Sequence, residues 1–422
     1  MRILFISSYP PEEGGIPNYT ETLIRVLKEL LEYEDKIYVI CTRKHHLRSS
    51  FIETSVDRKL SIIEIPITTP LHYAFALIKN VLRIRPNVIH IQYPLMLTLR
   101  DRIRRVGPLC EPLLLLLLML KFIHRIPTVV TMHEVWPLTD AKVDILRYVR
   151  SRSLASILTW YLMLFMALFL RAAGRVITLT NYGKRILGTQ YGIPENKVKV
   201  LPHGIDFAEN TDMAHAKSKL NIDATHIILF FGYIWPAKGI EYVLEAMPYI
   251  NSSVKDPCLI IAGPLNPVDG DRYLRKLLSI RNKMKLERSV LIDARYIPKR
   301  ELMFYFSAAS LVVVPYNMAV GSSGPIHLAF GYKKPVVSTN VGCRIEELGA
   351  GDRGLLVPPK SPKDIANAIC RIINDDTLRE SIVKNIEKYI QRNNWTALVK
   401  RTIEEYKRMY VQRVRIDDCS SI

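Results

Sequence analysis

The sequence predicts an α/β protein made of two Rossmann-like, doubly wound parallel-sheet domains. Short runs rich in Val and Ile alternate with helix-like stretches along nearly all of the 422 residues, as expected for strands that are covered on both faces. A glycine loop follows the run at residues 3–7, and another follows the run at residues 227–232. The pattern restarts near Pro202, so we expect two similar halves that face one central cleft.

The first half alternates strands with helices such as residues 19–31 and 71–83. This alternation predicts a parallel sheet with right-handed crossovers. We assign residues 1–205 to this N-terminal domain. The predicted strands are residues 3–7, 37–41, 61–65, 88–92, 128–132, 176–180 and 198–201.

The second half, residues 206–394, repeats the alternation and is expected to bind a nucleotide. After it, residues 395–413 form an amphipathic pattern, and we expect the segment 395–422 to pack back toward the N-terminal domain. The predicted strands are residues 227–232, 258–262, 290–292, 311–314, 335–338 and 355–357. The predicted helices are residues 240–250, 271–286, 301–308, 326–332 and 362–374.

Composition excludes several classes of protein. With 49% apolar and 23% charged residues, the chain can bury a core and is not a disordered polymer. Its six cysteines are scattered singly, a pattern that fits neither a zinc site nor a disulfide framework. A short strand follows Met1 without a signal-peptide pattern, so we expect a cytoplasmic protein.

The formal charge of +19 predicts an anionic partner. Basic clusters precede two apolar runs, residues 113–120 and 154–170, which favours an anionic membrane surface over nucleic acid, because no base-reading motif is present. A solvated charged face is the open alternative. Residues 154–170 reach the lower limit for a membrane span, but we expect a buried or interface-docked helix. The basic residues are Arg100, Arg102, Arg104, Arg105, Arg147, Arg150 and Arg152.

The first glycine loop contains Gly14 and Gly15 just before a predicted helix. Backbone N–H groups at such a position can bind a phosphate. The loop lacks both the GxGxxG fingerprint and the GK[ST] of a P-loop, which weakens a nicotinamide or ATP interpretation. An ordinary strand–helix turn is the alternative.

The second glycine loop is a stronger candidate for an anion site. Gly232 and Tyr233 open it, and Lys238 stands at the predicted start of the next helix, followed by Gly239. A lysine at that position adds a point charge that can neutralise a diphosphate without a metal. A lysine that faces solvent is the alternative.

Residues 320–331 carry a third anion-binding pattern. Ser322 or Ser323 is a plausible N-cap, Gly324 follows, and Pro325 suits the first helical turn. We interpret the segment as the main diphosphate seat, with outward N–H groups and serine hydroxyls as donors. His327 lies about one turn into the predicted helix, where a core histidine is the alternative.

His133 and Glu134 follow a predicted strand, at the edge where α/β folds bind ligands. They could contact a sugar or an acceptor, or cap the next loop. The sequence shows no Ser-His-Asp order, no HExxH and no metal carboxylate cluster. A reaction that requires positioning and stabilisation of a charged leaving group fits best.

Together these segments resemble the family 4 glycosyltransferases, or glycosyltransferase group 1, which have the two-domain GT-B fold. The resemblance covers nearly the whole chain, and the order and spacing of the motifs make it specific. The matching segments are Gly14-Gly15-Ile16, residues 88–92 (VIHIQ), 128–134 (TVVTMHE), 200–206 (VLPHGID), Phe231-Gly232 with Lys238-Gly239, 331–337 (GYKKPVV), 354–359 (GLLVPP) and the helix from Trp395.

The resemblance implies a nucleotide sugar in the interdomain cleft, transfer with retention of anomeric configuration, and no metal. It implies that the C-terminal domain binds the nucleotide diphosphate and that the N-terminal domain binds most of the acceptor. It also implies that Gly15 approaches the diphosphate, Lys238 stabilises the leaving diphosphate and His133 contacts the donor sugar. Arg295, Tyr296 and Ile297 are then expected beside the base.

The sequence departs from the family pattern at three positions. Two glutamates eight positions apart normally hold the donor sugar and the ribose; here Ala319 and His327 stand in their places. Tyr233 replaces the arginine of the second glycine loop. These departures define a divergent subgroup and leave the donor and the stereochemistry open.

We therefore predict a hexosyltransferase of polysaccharide biosynthesis that moves mannose, glucose or galactose from a UDP- or GDP-sugar to a glycan or lipid-linked acceptor. We expect no metal, no nucleic acid, and peripheral contact with the inner face of a membrane. A non-catalytic sugar-nucleotide-binding scaffold and a nucleotide-sugar epimerase on the same fold are the alternatives. The predicted catalytic residues are Lys238, His133 and His327, and the donor-binding residues are Gly14, Gly15, Gly232, Tyr233, Tyr296, Ile297, Ser322, Ser323 and Gly324.

Overall fold

The computed structural model describes residues 1–43, 52–66, 70–93, 126–146, 149, 151–318 and 321–419. The chain divides into two compact units, one of Met1–Pro202 with Trp395–Ile422 and one of His203–Asn394. The first boundary therefore falls at Pro202 rather than at residue 205. The reason is local bonding inside the second unit, where His203 stacks on His327 and the backbone N–H of Ile205 donates to the carbonyl of Asn393.

The first unit is built on an eight-stranded sheet in the order β3-β4-β2-β1-β5-β6-β7-β8. All its pairings are parallel except β3–β4. The edge strand β3 was missed from the sequence because all four of its residues are exposed, which leaves no apolar pattern. The strands are β1 Arg2–Ile6, β2 Lys36–Arg43, β3 Ile52–Ser55, β4 Leu60–Pro66, β5 Val88–Tyr93, β6 Thr128–Met132, β7 Arg175–Thr178 and β8 Val198–Val200.

Helices of the first unit connect these parallel strands. The long apolar helix Arg152–Ala172, called α4, belongs to the crossover between β6 and β7, which pair with each other. One face is buried, with Leu162 and Met166, while Ile157 and Trp160 are exposed. The helices are α1 Gly15–Leu30, α2 Pro70–Ile84, α3 Leu138–Ile145, α4 Arg152–Ala172 and α5 Asn181–Tyr191, with a 3-10 turn at Glu195–Lys197.

The second unit has a six-stranded, wholly parallel sheet in the order β11-β10-β9-β12-β13-β14. This is the strand order of dinucleotide-binding Rossmann domains. Strands β10, β12 and β13 are completely buried, which explains their continuous apolar sequences. The strands are β9 His226–Phe231, β10 Pro257–Ala262, β11 Val290–Asp293, β12 Leu311–Val314, β13 Val336–Thr339 and β14 Gly354–Val357.

Helices of the second unit enclose that sheet, and 3-10 turns lie at Pro236–Lys238 and Gly349–Gly351. The helices are α6 Met213–Leu220, α7 Ile240–Ser253, α8 Gly270–Lys283, α9 Lys299–Ala308, α10 Gly324–Gly331, α11 Arg344–Glu347, α12 Pro362–Asn374 and α13 Asp376–Arg392.

The last helix, α14, spans Trp395–Cys419 and returns to the first unit. Trp395, Val399 and Tyr406 share a buried cluster with Tyr19 and Leu23 of α1. The apolar face that the sequence assigned to this helix is thus covered by α1 and the first sheet.

The strand order fixes where ligands bind in such sheets. In an open parallel sheet, the crevice lies at the carboxyl ends of the two strands between which the order reverses. In the second unit these strands are β9 and β12. The loops that follow them, described over residues 232–239, 315–318 and 321–323, carry Lys238 and four of the nine predicted donor-binding residues.

Candidate active site

The loops after β9 and β12 are fastened to each other. The backbone N–H of Asn317 donates to the carbonyl of Ala237 at 2.9 Å. Gly239 has a φ of 64°, and a Cβ there would lie 2.1 Å from the carbonyl oxygen of Pro315. Only glycine tolerates both the conformation and the contact, so this residue lets the two loops close over the switch point.

Lys238 lies on the face of a buried tyrosine. Its Nζ is 3.6 Å from the ring centroid of Tyr316, and the guanidinium carbon of Arg344 is 5.2 Å from the same centroid. Burial raises the pKa of the Tyr316 hydroxyl, but the Lys238 and Arg344 cations outweigh it and leave that pKa below its usual value. Among the described residues, no carboxylate pairs with Lys238.

The position of Lys238 differs in detail from the sequence expectation. It ends a 3-10 turn, Pro236–Lys238, and Gly239 separates it from the first residue of α7. Lys238 is therefore not in the first turn of α7. The left-handed conformation of Gly239 interrupts the helical hydrogen-bonding pattern at this point.

A buried ion pair lies beneath the loop that precedes α10. Arg344 and Glu347 are 0% and 4% exposed and bond to each other, and Arg344 also donates to the carbonyl of Gly321. Burial raises the pKa of Glu347, but the Arg344 cation and hydrogen bonds from His327 and Ser323 bring it down to about 2. The pair thus fixes a charged carboxylate under the loop.

That carboxylate redirects the donors predicted for a diphosphate. The hydroxyl of Ser322 donates to Glu347 Oε1 at 2.7 Å, and the backbone N–H of Ser323 donates to the same oxygen at 2.8 Å. Ser323 is the N-cap residue, yet its hydroxyl makes no capping bond and lies 3.4 Å from the Tyr316 hydroxyl. The expectation that both serine hydroxyls serve as donors to a diphosphate is therefore corrected, because Glu347 accepts the Ser322 hydroxyl and the Ser323 N–H, and the Ser323 hydroxyl lies beside Tyr316.

His327 is a buried member of the same cluster. Its Nε2 lies 2.8 Å from Ser322 Oγ, and its ring stacks on His203 at 4.4 Å between centroids. Its Nδ1 is buried with no hydrogen-bond partner among the described residues. His327, which stands where the family has its second glutamate, thus contacts Ser322 and Glu347. Ala319, at the position of the first glutamate, lies outside the described residues.

Two glycines of this edge contribute in different ways. Gly324 is exposed at the first turn of α10, and no described atom lies within 4 Å of where its Cβ would be. Gly232 has a φ of 132° and packs beside Pro325. Tyr233, next to it, is exposed.

Tyr296 and Ile297 follow β11 at the edge of the second sheet, two strands from β9. Ile297 is buried and Tyr296 is partly exposed. Arg295 pairs with Asp293 and Glu301. These residues share the carboxyl edge with Lys238 but do not belong to its cluster.

Gly14, Gly15 and His133 lie in the first unit. Gly14 is the N-cap of α1, and Gly15 begins that helix exposed, with no described atom within 4 Å of the position that a Cβ would occupy. His133 follows β6 and is bonded through Nε2 to Gln92 Oε1 at 2.7 Å. Glu134 accepts a hydrogen bond from the indole of Trp136 at 3.3 Å. This contact agrees with the alternative in which Glu134 caps the loop after β6.

Sequence reasoning missed several residues of these two edges. Polar residues that end or follow buried strands were the available signal for Gln92 and Asn317, and an Arg-x-x-Glu spacing after β13 was the signal for the ion pair. Within the described residues, no group of three or more His, Cys, Asp or Glu side chains is arranged to hold a metal ion. The missed residues are Gln92, Tyr316, Asn317, Arg344 and Glu347.

Solved structures share this fold over almost its full length. A sucrose-phosphate synthase from Thermosynechococcus elongatus aligns with a TM-score of 0.75 and 20% identity over 97% of this chain and 99% of that one. Anabaena HepE, solved with UDP, aligns with a TM-score of 0.71 and 17% identity over 96% and 100% of the two chains. The predicted GT-B fold, with two parallel-sheet α/β domains, is confirmed.

Sequence comparisons agree with the fold. An uncharacterized glycosyltransferase of Methanocaldococcus jannaschii is 30% identical over 55% of this chain and 60% of its own length. A D-inositol 3-phosphate glycosyltransferase of Kineococcus radiotolerans is 28% identical over 57% of this chain and 59% of its own length. The chain thus spans about three fifths of the length of these relatives.

Two family models match the chain, each mainly within one unit. The model described as Glycosyltransferase Family 4 matches residues 13–209, and the model described as Glycosyl transferases group 1 matches residues 225–375. Together they include both glycine loops, His133, Lys238 and the segment around α10. The chain therefore belongs to the family 4, group 1 glycosyltransferases.

Proposed function

We propose that the protein is a hexosyltransferase that moves a sugar from a nucleoside-diphosphate sugar, UDP- or GDP-linked, to a glycan or lipid-linked acceptor. The observation that carries the proposal is the cluster at the switch point of the second sheet. Lys238 lies there without a carboxylate partner among the described residues, on the ring of Tyr316. The Tyr316 hydroxyl lies 3.4 Å from that of Ser323, the N-cap of α10. This is a site for an anion.

The chemistry follows from where charge develops. As the bond between the sugar and the phosphate breaks, the leaving nucleoside diphosphate gains negative charge. The Lys238 ammonium and the N-terminal dipole of α10 stabilise that charge. Arg344 does not share this role, because Glu347 neutralises it. HepE was solved with UDP, and an E. coli trehalose-6-phosphate protein of similar fold was solved with UDP-2-fluoro glucose. Both observations support a nucleotide-sugar donor.

Retention of configuration and independence from metal belong to the same proposal and rest on the family resemblance. The anomeric configuration of the product, read by proton NMR, tests the first. Turnover in EDTA compared with turnover in Mg²⁺ tests the second.

Calorimetry with UDP, GDP and ADP, each with and without a hexose, tests the donor. We expect one nucleotide to bind selectively and the substitution Lys238→Ala to weaken that binding. In a turnover assay with the matching nucleotide sugar, the same variant should lower kcat by about 10²–10³. Lys276→Ala is the matched control, because Lys276 pairs with Glu241 in the same unit. Binding of no nucleotide would favour a scaffold, and conversion of the sugar nucleotide without an acceptor would favour an epimerase.

We also propose that the exposed face of α4 rests on an anionic membrane. This helix is long and apolar enough to cross a bilayer, but it packs as a crossover helix. Ile157 and Trp160 are 63% and 60% exposed, and Arg152 and Arg171 are exposed at its two ends. Apolar side chains flanked by cations, in a chain of net charge +19, suit an anionic interface.

Vesicle sedimentation tests the membrane proposal. We expect salt-sensitive binding to anionic vesicles, weak binding to neutral ones, and loss of binding in the double variant Ile157→Ser, Trp160→Ser. Tyr249→Ser, an exposed aromatic residue of the second unit, is the control. Equal binding to both vesicle types contradicts the proposal.

A further inference from the structure

The tautomer of His133 is set by the residue opposite it. His133 follows β6, and Gln92 lies on β5, the neighbouring parallel strand. His133 Nε2 is 2.7 Å from Gln92 Oε1. A carboxamide oxygen can only accept a hydrogen bond, so Nε2 carries the hydrogen in this contact.

The amide nitrogen of Gln92 faces a second histidine. Gln92 Nε2 lies 3.3 Å from His90 Nε2, and Thr131 Oγ1 lies 2.7 Å from the same nitrogen. An amide nitrogen can only donate, so His90 Nε2 accepts and His90 Nδ1–H points at the hydroxyl of Tyr406 on α14. Gln92, His90 and Tyr406 are at most 2% exposed, which leaves little room for rearrangement.

An aromatic contact also restricts the orientation of the His133 ring. Tyr19 contacts it edge to face with centroids 4.7 Å apart, and Trp395 contacts Tyr19 at 4.9 Å. Burial lowers the pKa of His133 to about 4 and that of His90 to about 3. Both rings are therefore neutral at pH 7, with one N–H and one lone pair each.

We propose that Gln92 is a positioning residue that holds His133 in the Nε2–H tautomer, so that His133 presents Nδ1 as an acceptor to a sugar hydroxyl. The ligand in this statement rests on the proposed function; the tautomer does not. An acceptor nitrogen selects a group that donates, which a hydroxyl does and a phosphate oxygen does not.

Nitrogen NMR of histidine side chains in the full chain at pH 7 tests the tautomer directly. His133→Asn assigns the resonances. We expect the wild type to show a protonated Nε2 and an unprotonated Nδ1 at His133, and Gln92→Leu to show averaged shifts of two tautomers. A wild-type His133 with its hydrogen on Nδ1 overturns the proposal whether or not the leucine variant folds.

Two further variants separate positioning from packing. A carboxylate also only accepts, so Gln92→Glu should retain the Nε2–H tautomer. Asn80→Leu removes another buried amide of the first unit, one that donates to the carbonyl of Ala76, and should leave the His133 signals unchanged. A change of tautomer in Asn80→Leu would show that the signal reports general packing and would overturn the proposal.

Kinetics complete the test. We expect Gln92→Leu to lower kcat/KM about tenfold, the effect of one misdirected hydrogen bond, and Gln92→Glu to restore most of it. If the tautomer is as expected but no sugar nucleotide is turned over, the proposed function fails alone. If turnover is seen and His133 carries its hydrogen on Nδ1, this inference fails alone.

Discussion

The carboxyl edges of the two sheets carry opposite chemistry. In the second unit the edge is cationic, with Lys238 and Arg344 on the ring of Tyr316 and Glu347 buried beneath them. In the described part of the first unit, the cluster around His133 is made of neutral side chains, a hydrogen-bonded chain from Tyr406 through His90 and Gln92 to His133.

The difference shows how each edge is kept stable and what it suits. A buried cation needs a buried anion, so the second unit carries Glu347 to neutralise Arg344, which leaves Lys238 for a ligand. Neutral imidazoles need only hydrogen-bond partners, and the first unit supplies these along the chain. A cationic edge suits a diphosphate, and a neutral one suits hydroxyl groups.

The largest expected effect is on the ion pair of the second unit. Glu347→Ala leaves Arg344 charged and buried without its partner, which we expect to lower the free energy of unfolding by about 3–5 kcal/mol. Urea denaturation measures it. Glu387→Gln removes an exposed pair with Lys333 and should cost about 1 kcal/mol or less. Equal effects of the two substitutions on the free energy of unfolding would show that the buried Arg344–Glu347 pair does not stabilise the second unit more than an exposed pair does.

Acid should destabilise the two units in different pH windows. His90 and His133 have folded pKa values of about 3 and about 4 against an ordinary 6.5. The unfolded chain therefore binds more protons as pH falls below 6.5, and the first unit loses about 1.4 kcal/mol per pH unit for each histidine. Glu347, lowered from 4.5 to about 2, stabilises the second unit fully above pH 4.5 and loses that contribution toward pH 2.

Hydrogen exchange followed by mass spectrometry resolves the two windows. Peptides of the first sheet should lose more protection between pH 6.5 and 4 than those of the second sheet, where burial lowers the pKa of the partly exposed His226. His133→Asn should reduce the pH dependence of the first unit. An equal loss of protection from hydrogen exchange in both sheets above pH 4.5 would contradict the predicted difference between the two units.

Substitution of the tyrosine under Lys238 should have a moderate effect. Tyr316→Leu removes the ring that holds the ammonium and should weaken nucleotide binding about tenfold, in line with a desolvated cation–π contact. Tyr316→Phe retains the ring and should change binding less than about twofold. Calorimetry measures both. Equal losses in the two variants would assign the effect to the hydroxyl instead.

The smallest effects concern exposed glycines, one in each unit. Gly15→Ala and Gly324→Ala place a methyl group where no described atom lies within 4 Å. The melting temperature should therefore stay unchanged, while a ligand that approaches either backbone loses about 1 kcal/mol of binding free energy. Gly239→Ala is the contrast, because its methyl group would meet Pro315, and it should destabilise the fold. Unchanged nucleotide binding in both exposed variants would remove these loops from the donor site.

Local pattern was sufficient for most of the fold. All strands of the second sheet were predicted within a residue or two of their observed bounds, because strands buried on both faces read as continuous apolar runs. The strand Ile52–Ser55 was not predicted, since its exposed edge position imposes no such run. The amphipathic pattern from Trp395 onward predicts that the last helix packs back on the first unit, and the burial of Trp395 and Tyr406 shows how it does so.

Local sequence pattern predicts the two parallel sheets, the glycine loops after β1 and β9, the placement of Lys238 and His133 after strand ends, and His327 in the first turn of a helix. These features depend on residues that are close along the chain. The bonds from Ser322 and Ser323 to Glu347, and the bond between His133 and Gln92, become visible only when the chain is folded. Those bonds join side chains more than twenty residues apart on neighbouring elements, and burial makes them obligatory, so no local pattern could specify them.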